Sequence, residues 1–432
     1  MPKLKLILYL NILCLVFIKA KTLKEVVHEN IYSNPQVRMA IENYKASLYE
    51  LEKVKSGYKP ILNISSEIGQ EYASVDYSLE GAKLLTEEQI LLKGKYNLFE
   101  GFKTNHQVKE KESALNVAKE EAFKKINGVT SLLVQVYLNV LRRKELWDIE
   151  IANYQNHQET LEKVKLRLQA GDGYESDYRQ SKARLKLAET NKLIVKKMYK
   201  NAEINYRRLT GVFPQVEMLS LPSLSFSLDS TKISAYIEKA QKNNPHIKIQ
   251  HSEIAISKSL YQQERSKSYP TLDVEVSQSW NNNVHGFEGK DKSSKIALIL
   301  NYNLYNGGAN QASERSALRK SEMNERSLDD IKLTLEEDIR LSLMQYDMLS
   351  TQLELINQQL IHLEGTRELY ELEYQNNKRT IIDVLNIKQE YRYAQSQKIN
   401  AHYDQLLAYY QFQSDMGTLF EEFELDRVLD IQ

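Results

Sequence analysis

Two hairpin-sized stretches of the chain alternate apolar and polar residues with a period of two, while most of the remainder follows a helical period. In PTLDVEVSQSW, Leu272, Val274, Val276 and Trp280 share one face, and Thr271, Asp273, Glu275, Ser277 and Ser279 share the other. SKIALILNYNL follows with Ile296, Leu298, Leu300, Tyr302 and Leu304 on one side and Lys295, Asn301 and Asn303 on the opposite one. A weaker version precedes it: Leu62, Ile64, Ile68 and Tyr72, then Ile90, Leu92, Tyr96 and Leu98. Each run is about ten residues, the length of a membrane-crossing strand, with aromatic residues near its ends. For one hairpin alone, packing against a helix is an equal alternative. Two hairpins at equivalent places favour a barrel wall.

Equivalence follows from an internal repeat. SNPQVRMAIENYKASLYELEKVKSGYKPIL parallels NNPHIKIQHSEIAISKSLYQQERSKSYPTL with Pro35/Pro245 and Pro60/Pro270 offset by 210. YNLFEG and YNLYNG are then offset by 206, which also pairs Asp177 with Asp383 and Gly211 with Gly417. Each half predicts a short helix entered through Asn-Pro, a strand pair, a very long helix and a second helix. The first repeat spans 21–211, with strands 61–77 and 88–100 and helices 103–170 and 178–209. An inter-repeat segment occupies 212–236. The second repeat spans 237–419, with strands 270–281 and 294–306 and helices 309–376 and 383–415, and 420–432 form a tail. Between Phe102 and Ala170, and between Ala309 and Asn377, there is one Gly each and no Pro. Unbroken, each helix would reach about 100 Å. Leu349, Leu353, Ile356, Leu360 and Leu363 form a narrow coiled-coil seam, so these helices must pack against one another.

Composition removes several function classes. Lys+Arg and Asp+Glu number 58 each, so no net field selects nucleic acid. The first 20 residues carry Lys3 and Lys5, an apolar run from Leu6 to Ile18 and Ala20 at a plausible cleavage point, the pattern of a secretory signal. The lone cysteine, Cys14, lies within it, so the mature chain is expected to lack thiols and disulfides. The eight histidines have no metal-ligand spacing, and no phosphate loop or nucleophile elbow is present, so neither an enzyme nor a cofactor is expected. An exported chain with amphipathic strands and no apolar helix long enough to span must cross a membrane as a sheet or remain soluble. Four strands leave free edges, which a membrane does not tolerate, so the chain must associate. Three copies would supply about twelve strands and a wet interior, which suits the polar strand faces.

The tandem repeat, YPTLDVEVS, YNLYNGG, RTIIDVL and the terminal MGTL together resemble the TolC family of outer membrane efflux proteins across nearly the whole mature chain. The resemblance implies an α+β membrane protein: a homotrimer with a twelve-stranded β-barrel in outer membrane lipid, continuous with a long α-helical barrel crossing the periplasm, and an equatorial belt formed by the inter-repeat segment and the C-terminal end. It implies a passive exit duct that docks a periplasmic adaptor and an inner membrane transporter, either ABC or proton-driven. Pro60, Gly101, Pro270, Gly307 and Gly308 would mark strand/helix junctions. The periplasmic gate links would fall on Tyr374 and Arg379, facing Asp177 and Ser176. The pore constriction would fall on Asp383 and on Asn386, where the family often has a second aspartate. Asp383 also reads as a helix N-cap. The competing reading is a soluble periplasmic coiled-coil adaptor or scaffold, which accounts for the helices but not for the paired strands.

Overall fold

The computed structural model describes residues 20–73, 83–224, 228–286 and 288–425. Residues 1–19 of the expected signal, 74–77 of the first expected strand, 225–227 of the inter-repeat segment and 426–432 of the tail lie outside the described residues. In chain order the elements are α1 (Leu23–Ile31), α2 (Pro35–Lys55), β1 (Ile61–Ala73), β2 (Lys83–Phe99), α3 (Lys103–Gln169), α4 (Glu175–Thr210), α5 (Ile233–Asn243), α6 (Pro245–Ser266), β3 (Thr271–Asn282), β4 (Lys290–Asn301), α7 (Ala309–Gln375), α8 (Ile381–Asp415) and α9 (Leu419–Glu422). Among the described residues no helix is long and apolar enough to cross a membrane.

One compact unit comprises Pro35–Ile126 and Ala235–Asp338. It holds a single antiparallel sheet in the order β1-β2-β3-β4. The register pairs even residues with even ones: Ile64 with Leu92, Ile90 with Trp280, Val274 with Leu298 and Val276 with Ile296. A register of this parity fuses the apolar sides of all four strands into one surface. That surface faces outward, with Ile64 73 %, Ile296 76 % and Leu298 70 % exposed. The odd, polar side is shielded on the two central strands, β2 and β3. There Lys95 Nζ lies 2.9 Å from Asp273, Lys93 Nζ 2.7 Å from Glu275, and Asn97 Nδ2 donates to Asp273 over 2.9 Å.

The strand ends follow from backbone chemistry. β4 stops at Asn301, short of the expected 306, because Asn301 pairs with Thr271 and the next partner would be Pro270, which has no N–H to give. Pro60 likewise immediately precedes β1. Between β2 and α3 the chain turns at Gly101, φ +64°, where a Cβ would sit 2.7 Å from the Ser266 carbonyl oxygen and 2.9 Å from Tyr269 Cβ. Gly307 and Gly308, between β4 and α7, also have positive φ, +70° and +84°. Below the sheet, α6 is tied to α3 through Gln263 Nε2 to Glu110 (2.8 Å) and to α7 through Gln250 Nε2 to the Asn324 carbonyl (2.8 Å).

The other unit comprises the described residues of Met1–Asn34, Asn127–Ser234 and Ile339–Arg427. Its core is aromatic: Tyr137, Tyr403, Tyr409 and Phe412 are fully buried, and Tyr410 stacks on Phe423 at 5.9 Å. Burying tyrosines requires partners for their hydroxyls. Tyr403 donates to Glu145 over 2.6 Å, and Tyr137 Oη lies 3.0 Å from the Lys21 carbonyl and 2.5 Å from that of Ser220. The Tyr137 contact ties the first described residues to the inter-repeat segment, where Lys21 also bridges Leu219 in parallel. His28 Nε2 lies 2.6 Å from the Phe423 carbonyl, bringing the C-terminal end to the same place. Antiparallel α3 and α8 are joined by a run of polar contacts: Asn127 to Ser414, Arg142 to Asp404, and a buried ion pair of Glu150 with Arg392.

Candidate functional site: the interhelical tip

The two longest helices end on the same backbone motif. After α3 the Gly171 N–H donates to the Leu168 carbonyl (3.1 Å) and the Asp172 N–H to that of Arg167 (3.0 Å). After α7 the Asn377 N–H donates to the Tyr374 carbonyl (3.1 Å) and the Lys378 N–H to that of Glu373 (2.8 Å). These are paired Schellman closures around a left-handed residue, Gly171 at φ +79° and Asn377 at φ +57°. Asparagine tolerates this region better than other residues with a Cβ, which is how NKRTIIDVLN turns without Gly or Pro.

The returning helices begin earlier than expected, α4 at Glu175 and α8 at Ile381. Thr380, not Asp383, is the N-cap of α8: its hydroxyl accepts the Asp383 N–H at 3.3 Å and donates to Asp383 Oδ2 at 2.8 Å. Threonine captures the cap because it stands at the residue with extended backbone, φ −80° and ψ 153°. Asp383 therefore lies in the first turn, as Asp177 does in α4, where the helix dipole favours a carboxylate.

A small apolar cluster holds the tip: Val164 of α3 with Ile381, Val384 and Leu385 of α8, flanked by Tyr178, Tyr370 and Tyr374. Beside it is a cleft of about 650 Å³ whose lining includes Arg167, Asp177, Tyr374, Arg379 and Asp383. The fold thus gathers three of the four expected gate residues and Asp383 around one space; Ser176 is exposed and does not line it. Among the described residues, no group of three or more histidines, cysteines or carboxylates could hold a metal ion.

Within one chain, Tyr374 and Arg379 each meet a nearer group. Arg379 Nε donates to Glu373 Oε2 over 2.7 Å and its guanidinium lies 3.8 Å from the Tyr370 ring centroid. Glu373 holds the Arg379 guanidinium more firmly protonated than usual. Tyr374 lies under a different cation, Arg167, at 4.9 Å. Neither Tyr374 nor Arg379 is bonded to Asp177 or Ser176 within one chain, because nearer groups of opposite charge or a π face occupy both. Arg167 also donates to Asp172 (2.9 Å) and to Asn377 Oδ1. Asn386, expected at the constriction, accepts from Arg184 Nη2 of α4 at 3.1 Å, and the same guanidinium reaches Gln389.

Arg167, Glu373, Tyr370 and Arg184 are the residues that motif reading missed. For the first two a signal existed. The repeat offset of 206 places Arg167 opposite Glu373, a charge reversal at the same point of two equivalent turns.

Residues 236–418 match the family model OEP, "Outer membrane efflux protein". The chain is 23% identical over 299 residues to "Proteases secretion protein PrtF" of Dickeya chrysanthemi, an alignment covering 67% of this chain and 64% of PrtF, so it spans less than two thirds of that relative. With "Outer membrane protein TolC" of Escherichia coli K12 it shares 19% identity over 94% of this chain and 84% of TolC. Its fold superposes on the crystal structure of a membrane protein from Pseudomonas aeruginosa with a TM-score of 0.84, 14% identity, and coverage of 95% of this chain and 92% of that one. The chain thus shares its fold with solved outer membrane channels, and its second repeat matches the model of outer membrane efflux proteins.

Proposed function

We propose that three copies of this chain form an outer membrane exit duct of a tripartite export system, a passive channel without enzymatic activity. The observation that carries this reading is the sheet: one continuous apolar face turned outward, a polar face turned inward, and edges at β1 and β4 with no partner strand among the described residues. Such a sheet suits a membrane only when its edges are closed by further copies. Three copies would give about twelve strands and a water-filled lumen. The long helices would form a periplasmic tube, to which the interhelical tip belongs. A periplasmic adaptor and an inner membrane transporter are the partners this arrangement calls for. A soluble adaptor or scaffold has no use for an outward apolar sheet.

Within the duct, Asp383 supplies one carboxylate per copy to the narrowest ring, which favours cations. Asn386 adds amides held by Arg184 rather than a second ring of charge, so cation preference is weaker than two rings would produce. The test is reconstitution of the purified full chain into planar bilayers. The duct reading expects a heat-modifiable trimer and discrete conductance steps, and a monomer soluble without detergent would overturn it. Asp383→Ala should move the reversal potential across a salt gradient toward zero.

A further inference from the structure

Arg184 is a cation without a carboxylate partner among the described residues. Its guanidinium reaches from α4 to α8, where Nη2 donates to Asn386 Oδ1 over 3.1 Å and Nη1 donates to Gln389 Oε1. Both acceptors are neutral amides. The other cations gathered here are spent on carboxylates: Lys388 Nζ lies 2.9 Å from Glu371, and Arg392 pairs with Glu150. His157, depressed to about 4 by burial and then by Lys388, Arg184 and Arg392, carries no charge at neutral pH. Of these groups Arg184 alone keeps an uncompensated charge. Asn386 stands on an exposed face of α8 with Gln389 and Glu390, and Asp383 lies one turn before it. Successive turns therefore present a carboxylate, an amide with a bound guanidinium, and a carboxylate.

We propose that Arg184 is a selectivity-determining residue that makes the level of Asn386 cationic, so that the narrow passage alternates in sign and offers anions, free or carried on cargo, a favourable level. The inference rests on the duct reading given above, in which Asp383 and Asn386 line the constriction. A carboxylate at 386 would neutralise the guanidinium in an ion pair. An amide holds it by hydrogen bonds and leaves its charge expressed. Three such charges around one axis would lower the barrier to anions and raise the barrier to cations. The role asked of Arg184 is its charge, not its bond to Asn386.

The experiment measures the reversal potential of the full chain in planar bilayers across a KCl gradient, beside Arg184→Gln, Arg184→Lys and Asp383→Ala. Arg184→Gln is expected to raise the cation-over-anion permeability ratio roughly twofold or more at low salt, with the difference shrinking as salt screens the charge. Arg184→Lys keeps the charge, loses the planar fork and should stay near wild type. A second readout works on pores that have already folded. The chain's only cysteine is Cys14, in the expected signal, so Arg184→Cys introduces a unique thiol. A cationic methanethiosulfonate should return the ratio toward wild type, and an anionic one should move it further toward cations. An unchanged ratio in Arg184→Gln beside a shifted one in Asp383→Ala would overturn the role of Arg184 and leave the constriction reading standing. Equal shifts in Arg184→Gln and Arg184→Lys would mean that the residue acts by holding Asn386, which overturns the charge assignment. If Asp383→Ala also leaves the ratio unchanged, the constriction reading falls and this inference with it.

Discussion

Gly171 and Asn377 occupy the same left-handed backbone position, φ +79° and +57°, two residues past the ends of α3 and α7. A side chain without local polar compensation is disfavoured there by about 1 kcal/mol or more. Gly171→Ala is therefore expected to destabilise the detergent-solubilised protein by about that amount in chemical denaturation. Asn377→Gly should change stability by only a few tenths of a kcal/mol, about as much as the backbone entropy of one glycine allows, while still releasing Arg167.

Gly101 is the more sensitive glycine. A Cβ there would stand 2.7 Å from the Ser266 carbonyl oxygen and 2.9 Å from Tyr269 Cβ, and φ is +64°. The backbone atoms cannot yield as a side-chain tip would, so Gly101→Ala combines overpacking with strain, about 2–4 kcal/mol together. The yield of heat-modifiable trimer should drop sharply. Gly307→Ala, with nothing near its Cβ, should lose less, only the cost of its positive φ.

Much of this was readable in advance. Alternation in YPTLDVEVS and SKIALILN told which strand face is apolar, and the parity-preserving register turned four such faces into one. What alternation could not show was where pairing stops: Tyr302 and Leu304 continue the pattern, yet the ladder ends because the opposing residue is a proline. At the tip, the residues singled out by motif do converge, but their bonding partners depend on which side chain is nearest in three dimensions. Arg167 is one of three arginines on a helix of 67 residues, and only its repeat offset to Glu373 distinguishes it. Thr380 took the cap from Asp383 because the helix begins two residues earlier than the apolar pattern suggests.

The outward sheet face makes a depth-dependent prediction. Leu298 lies on β4 in the middle of the apolar surface, 70 % exposed, paired with Val274. Leu298→Lys is expected to cost about 2–4 kcal/mol at the bilayer midplane and to reduce insertion into lipid vesicles. Ser277→Lys, on the opposite, polar side, should insert normally. Equal insertion of both variants would mean that the apolar face does not meet lipid.

Burial, reinforced by Lys388, Arg184 and Arg392, depresses His157 from its usual range to about 4. These cations come from α8 and α4, the helices packed around it, so protonation would add charge to a site already positive. With the folded value below the unfolded one near 6.5, the unfolded chain binds the proton first between these limits. Stability from this group is complete above about pH 6.5 and is lost as pH falls toward 4. His157→Gln should flatten the corresponding slope of denaturation midpoint against pH.

The Glu150–Arg392 pair offers the clearest separation of stability from specificity. Glu150 is 5 % exposed and Arg392 20 %, so both charges lose most of their hydration when α3 and α8 pack. Mutual attraction then compensates for a desolvation cost rather than adding a surplus, and removing one partner strands the other. Arg392→Ala is expected to cost about 3–5 kcal/mol, because Glu150 would keep its buried charge without a counter-ion. Replacing both by well-packed apolar residues, Glu150→Leu with Arg392→Met, should recover most of that loss. A double-mutant cycle on chemical denaturation of the detergent-solubilised protein measures the difference. If the double variant is as unstable as Arg392→Ala, the pair itself, and not the stranded charge, carries the stability of this contact.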